Sequence, residues 1–132
     1  MKILGRAAQW ISVKYYSNDY LKIKHFYNCW KLEIYPEILV IALVLGEDKR
    51  FWTHQGIDLK AILRAVYQTC FCGCIQGGST LEQQLVRTIT AKYDPTLKRK
   101  LREMILALCI QTIMPKKIVP HLYLSLAYFG WM

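Results

Sequence analysis

Acidic side chains are scarce in this sequence: nine Asp and Glu stand against eighteen Lys and Arg, a formal charge of +9. That imbalance points to an acidic partner, either a nucleic acid, an anionic membrane surface or a phosphate-bearing substrate. No helix-turn-helix or zinc-finger spacing is present, so a nucleic acid is not the expected one. Long apolar runs are missing too. The longest, Ile38–Leu45, falls short of the ~18–20 residues that span a bilayer and reads as a buried helix. The N-terminus MKILGRAAQWISVKYY begins with charge, but Arg6 and Gln9 interrupt its apolar stretch, so there is no clear signal peptide. Alternating strand patterns, hairpin turns and internal repeats are absent, which leaves an all-α or nearly all-α chain.

Cysteine is present but in an unhelpful arrangement. Five residues, Cys29, Cys70, Cys72, Cys74 and Cys109, are an odd number for a disulfide framework. The alternation in TCFCGC matches neither the CxxC of zinc sites nor that of redox motifs. These cysteines read as small hydrophobes.

What the chain does have is apolar bulk: 54% hydrophobic residues over 132 positions, enough for a single core. Residues 1–35 are basic and aromatic without a clear period. They read as a surface arm or, given interleaved Trp, Tyr and Lys, as a membrane-interface segment. Residues 36–132 carry the periodic segments. Pro36 opens an apolar stretch ending at Gly46. Leu59, Ile62 and Val66 share a helical face with Asp58 at its start. Ser79 followed by Glu82 forms a capping-box pattern for LEQQLVRTITA, which Asp94-Pro95 stops. Thr96 caps a further helix whose stripe is Leu97, Leu101, Ile105, Leu108 and Thr112.

Four motifs occur in order along 36–130. They are Glu47-Asp48-x-x-Phe51-x-x-His54-x-Gly56, Gly77-Gly78-Ser79-Thr80-Leu81-Glu82-Gln83-Gln84-Leu85, Arg99-Lys100-x-x-Glu103, and Lys116 with Tyr123-Leu124 and Tyr128-Phe129-Gly130. Together they resemble glycosyltransferase family 51, the peptidoglycan transglycosylase module of penicillin-binding proteins and their monofunctional relatives. The resemblance implies a mainly α, lysozyme-like fold, and a substrate that is a lipid-linked disaccharide pyrophosphate polymerised into glycan strands. It makes Glu47 the general base and Glu103 the second glutamate, near the leaving group and acceptor, the two facing one cleft. Arg87, Arg99 and Lys100 would grip pyrophosphate, with Ser79, Gln83 and Gln84 bonding sugar and phosphate and Lys116 as a further substrate-binding residue. Asp48, Phe51, His54, Gly56, Gly77, Gly78 and Thr80 complete the motifs, His54 ordering the loop that carries Glu47. Partial desolvation after the apolar stretch would raise the Glu47 carboxyl toward a working pH.

The same resemblance implies an anionic membrane surface and other cell-wall synthesis proteins as partners. It places the chain at the outer face of the bacterial cytoplasmic membrane if exported, with the apolar loop Cys70–Gln76 toward that membrane. No cofactor is required, although a divalent cation, magnesium or manganese, suits the pyrophosphate. This sequence departs from the family pattern in places. Arg87 stands for the usual Lys, Thr88 for Asn, Glu82 for Thr, His121 for Glu and Ser125 for Asn, and Pro120 falls where a helix interior would be broken. The chain ends at Met132, before the family's fifth motif. The expectation is a domain incomplete at its C-terminus that binds lipid-linked pyrophosphate better than it polymerises it. The alternative is a truncated, non-catalytic remnant.

Overall fold

The computed structural model describes residues 2–31, 33–73 and 77–128. Among these it is helical, without strands, with seven α-helices: α1 (Lys2–Tyr15), α2 (Ser17–Cys29), α3 (Glu37–Glu47), α4 (Leu59–Phe71), α5 (Leu81–Thr90), α6 (Leu97–Ile113) and α7 (Val119–Tyr128). Short 3-10 turns at Phe51–Thr53 and Lys116–Ile118 join them. Helix α5 packs against α2, α6 and α7, and α1 lies along α6. Ile23, Phe51, Leu81, Leu85, Val86, Leu106, Ile110, Met114, Val119 and Leu122 form the centre of the core. Each such side chain contributes about 1.5–3 kcal/mol on burial.

Local signals set most helix ends. The Asp58 carboxylate accepts from the amides of Lys60 and Ala61, and the Thr96 hydroxyl accepts from the Arg99 amide, both at the expected positions. Helix α5 starts one residue later than the capping box suggested. Thr80, not Ser79, is its cap: the Thr80 hydroxyl accepts from the Gln83 amide at 3.3 Å and donates to the Gly56 carbonyl at 2.6 Å. Ser79 is left to face Lys100 instead. Pro120 lies in the first turn of α7, where a missing N–H costs nothing, so the feared break does not occur. Thr69 to Phe71 continue α4 rather than opening a loop, and Cys74–Gln76 lie outside the described residues.

In three helices burial does not follow hydropathy, and for α3 this corrects the expected burial. Helix α3 is not buried: Leu43 and Val44 are, while Ile38, Leu39, Ile41 and Leu45 stay exposed. Helix α4 presents Leu59, Leu63, Val66 and Tyr67 to solvent. In α6 the apolar stripe is not the inner face. Leu97 and Leu101 are exposed, whereas Arg102, Glu103, Leu106, Ala107, Cys109 and Ile110 are buried. The helix is turned because α1 and α5 cover it from two sides and because Arg102 and Glu103 find charged partners there. The segment without a clear period forms α1 and α2. Ala8, Ser12, Asp19, Tyr20 and Ile23 are their buried residues, and Ser12 meets the Cys109 sulfur at 3.5 Å.

Candidate active site

The site is built on the exposed and half-buried side of α5, against the end of α3 and the start of α6. Asp48, at the end of α3, is buried and does the joining. One of its oxygens accepts from the Leu81 amide at 3.1 Å, at the first turn of α5, where a helix favours negative charge. Both oxygens lie within hydrogen-bond reach of His54 Nε2, at 2.9 and 3.1 Å. This contact links His54 to the residue that follows Glu47. Gly56 is needed for two reasons. Its φ is +89°, and a Cβ there would stand 2.3 Å from the Ala107 carbonyl oxygen. Gly78 lies close to α4: a Cβ would come within 3.1 Å of the Ala65 side chain.

Glu47 ends α3 and is exposed to solvent, so the desolvation expected from the sequence is not what holds it. Its Oε2 accepts from Gln84 Nε2 at 3.0 Å. The Gln84 carbonyl oxygen in turn accepts from the Tyr123 hydroxyl at 2.9 Å. That bond fixes which way the amide points, so α7 orients Gln84 and Gln84 orients Glu47. Tyr123 belonged to the fourth motif, but its position in this relay was not readable from sequence.

Glu103 is fully buried on α6. The Arg87 guanidinium donates to it as a fork, Nε to Oε1 at 3.0 Å and Nη2 to Oε2 at 3.2 Å, and Arg99 donates from one turn earlier. The bonds to Glu103 push the Arg87 pKa upward, a planar fork matched to a carboxylate. Gln84 and Arg87 lie three residues apart on α5, hence on one face, so this helix ties both glutamates. Lys100 reaches across to Ser79 Oγ and Gln83 Oε1, each at 2.6 Å. Burial lowers its pKa, opposed in part by the nearby Glu103 charge. Beside Glu47 a cavity of about 350 Å³ opens between Lys49, Arg50, Arg64 and the Gly77–Thr80 segment. An apolar cavity of about 420 Å³ lies on its other side, lined by Tyr35, Leu39, Leu43 and Leu124.

Lys116 is turned inward. Its ammonium donates to the His54 carbonyl and to Glu82 Oε1 at 3.0 Å, and stands 4.4 Å over the Phe51 ring. Glu82 is fully buried. Burial pushes its pKa up and Lys116 pulls it back. Glu82 therefore turns inward to Lys116 and does not make the capping bond that its spacing from Ser79 suggested. The signal was present, an acid in place of Thr, but its partner lay 34 residues away. Asp48, His54 and Glu82 each offer a donor atom within 4.8 Å of the others. As a metal site this grouping is non-specific, since Lys116 already holds Glu82 and Asp48 already accepts from His54 and Leu81. Phe129 and Gly130 of the fourth motif lie outside the described residues.

An exposed acid at the end of α3, cations around a second, buried acid, and a capped Gly-Gly-Ser-Thr turn bring the first three family-like motifs together around α5. Comparison with known proteins agrees: the family model described as Transglycosylase matches residues 21–132. The chain belongs to this family. It is 40% identical over 108 residues to penicillin-binding protein 1A of Aquifex aeolicus (strain VF5), covering 81% of this chain and 15% of that protein. It is 41% identical over 96 residues to penicillin-binding protein 1F of Bacillus subtilis (strain 168), with 72% and 13% covered. Against penicillin-binding protein 1A of Escherichia coli (strain K12) the identity is 38% over 101 residues, with 76% and 12% covered. The chain thus spans less than a sixth of the length of these relatives.

Proposed function

We propose that this chain is a peptidoglycan glycosyltransferase that joins lipid-linked disaccharides into glycan strands, with residues 36–132 as the transferase unit and 1–35 as its basic, aromatic flank. The carrying observation is that one helix, α5, holds both glutamates, Glu47 through Gln84 and Glu103 through Arg87. In this reading Glu47 takes the proton from the attacking 4-hydroxyl. The freed oxygen bonds to the anomeric carbon of the donor chain as the bond from that carbon to phosphate oxygen breaks. The electron pair leaves with the polyprenyl pyrophosphate, whose charge needs cations rather than a proton. Lys100, Arg99 and Arg87 supply positive charge there, Ser79, Gln83 and Gln84 orient sugar and phosphate, and Glu103 holds the two arginines in place. Lys116 supports this wall from behind, through Glu82 and the His54 carbonyl. The reaction takes place at a membrane surface that delivers the lipid-linked substrate, against the exposed apolar side chains of α3 and α4.

A second reading, a binder of lipid-linked precursor that does not polymerise it, is favoured by how fully Glu103 is neutralised. Three N–H groups already occupy its two oxygens. Gel analysis of glycan length with labelled lipid-linked substrate separates the two. Glu47→Gln lowers chain growth by about 10²–10⁴, the usual weight of a general base, with substrate binding unchanged. Binding with no growth in either protein selects the second reading, and growth that survives Glu47→Gln removes Glu47 from the chemistry.

A further inference from the structure

Outside the motif cluster, the end of α2 sets a histidine beside a cysteine. Phe26 and Trp30 stack at 4.8 Å and pack against the core. His25 and Cys29, one turn apart and so on a shared face, are thereby turned outward, and both are exposed. Cys29 is therefore not the small buried hydrophobe that the sequence suggested, a role that Cys109 does fill. The Cys29 sulfur lies 3.6 Å from His25 Nδ1 and 3.7 Å from Nε2.

That separation is the one a tetrahedral metal ion asks of two donors. A zinc–nitrogen bond of about 2.0–2.1 Å and a zinc–sulfur bond of about 2.3 Å, at a tetrahedral angle, hold the donor atoms about 3.5–3.6 Å apart. Thiolate with imidazole selects a borderline-soft cation such as zinc over magnesium or calcium. The two ring nitrogens stand almost equally far from the sulfur, so a small rotation of the exposed ring aims either at a shared ion. Ligands at i and i+4 on one helical face are an established way to hold zinc. The helix end favours a cation as well. Helix α2 has no basic residue in its last turn, which leaves its final carbonyls, with their partial negative charge, unanswered by a side-chain cation. Exposed Lys22, about one turn before His25, is the opposing charge. Among the described residues no third Cys, His, Asp or Glu lies close enough to join the pair, so the remaining coordination positions are open.

We propose that His25 and Cys29 form a surface site for a zinc-type cation, bound by the Cys29 thiolate and one His25 nitrogen. Water, or the same pair from a second copy of the chain, takes the other positions. On binding, the S–H bond breaks, the sulfur–metal bond forms and the proton passes to solvent. The site uses none of the motif residues and stands whether or not the chain polymerises glycan.

The test titrates the full chain, kept reduced without added thiol, with cobalt(II), whose bond to a thiolate gives a visible and near-ultraviolet absorption. Zinc competition then gives the zinc affinity. Both arms are repeated with Cys70→Ser, Cys72→Ser and Cys74→Ser combined, which removes the other thiols near one another in sequence. The absorption should persist in that background and vanish on adding Cys29→Ser. His25→Ala should keep a thiolate signal but weaken zinc affinity about a hundredfold, one ligand's share of a four-ligand zinc site. Because both side chains are exposed, neither change should move the unfolding midpoint, which separates lost ligation from lost fold. Sedimentation reads the open positions: one ion per chain without a change in mass assigns them to water, and one ion per two chains assigns them to a second copy. Either ratio supports the pair as the ligand set. Absorption that survives Cys29→Ser, zinc affinity unchanged by His25→Ala, or no cobalt absorption in the wild type would overturn the proposal.

Discussion

Helices α3 and α5 invert the usual relation between hydropathy and burial. The sequence of α3, EILVIALVLGE, is nearly all apolar, yet only Leu43 and Val44 are buried. The sequence of α5, LEQQLVRTIT, is half polar, yet six of its residues are buried, Glu82 and Gln83 completely. Burial here follows partners. Glu82 has Lys116, Gln83 has Lys100, and Glu103 on the neighbouring helix has Arg87 and Arg99. Among the described residues helix α3 contacts little beyond α7, so Ile38, Leu39, Ile41 and Leu45 are left largely uncovered. Polar pairing thus gathers the motif residues into the interior, and an apolar edge is left facing outward.

The sharpest way to break this comparison is to remove the most buried charge. Glu103→Ala leaves Arg87 and Arg99 facing each other with no anion, and should lower unfolding stability by about 3–5 kcal/mol, typical when one partner of a buried pair is lost. Denaturant titration reads this directly. A change below about 1 kcal/mol would mean that the pairing does not organise this region.

Gly56→Ala attacks the same region through the backbone. The new Cβ would lie 2.3 Å from the Ala107 carbonyl at a left-handed φ, so a loss of about 2–4 kcal/mol is expected from overpacking and strain together. Unfolding of the purified variant checks it. Thr80→Ala should cost less, about 1–2 kcal/mol, because it removes the α5 cap and the bond to the Gly56 carbonyl.

Glu82 adds a pH dependence whose sign is fixed. Burial raises its folded pKa above the unfolded one, so the folded state holds its proton over a range where the unfolded state has lost it. The associated stability is fully present below the unfolded pKa and is lost as pH rises through the folded one. Glu82→Gln should therefore flatten stability against pH from the ordinary carboxylate range upward. An unchanged slope in thermal melts across pH 4 to 8 would assign the dependence to other groups.

How much of this could be read from residues alone follows from the range of each interaction. Caps at Asp58 and Thr96 are local, three residues or fewer, and both stand where the pattern placed them. The capping box at Ser79 failed by one residue because Thr80 gains a second bond, to Gly56, which is distant in sequence. The α6 stripe failed because hydropathy assigns Arg102 and Glu103 outward, while their partners Asp19 and Arg87 come from other helices. The motif strings were legible as a family resemblance. The pairing of Gln84 with both Glu47 and Tyr123, and of Glu82 with Lys116, depends on contacts 34 to 39 residues apart that no periodicity encodes.

The smallest expected effect lies at the other pole of the comparison. Leu63, on α4, is 69% exposed, and Ile41, on α3, is 45% exposed. If the apolar edge is truly uncovered, Leu63→Gln and Ile41→Gln remove almost no buried surface. Each should then change unfolding stability by less than about 0.5 kcal/mol, as surface substitutions do. Ile41 is the more sensitive of the two, because about half of its side chain already rests against neighbours. The two changes lie on separate helices and should add. Vesicle sedimentation supplies a second readout, since fewer exposed apolar groups give weaker partition into a bilayer surface. A loss of 2 kcal/mol or more from Leu63→Gln, about the worth of a fully buried leucine, would show that α4 is packed core. The contrast between a polar interior and an apolar edge would then fail at α4.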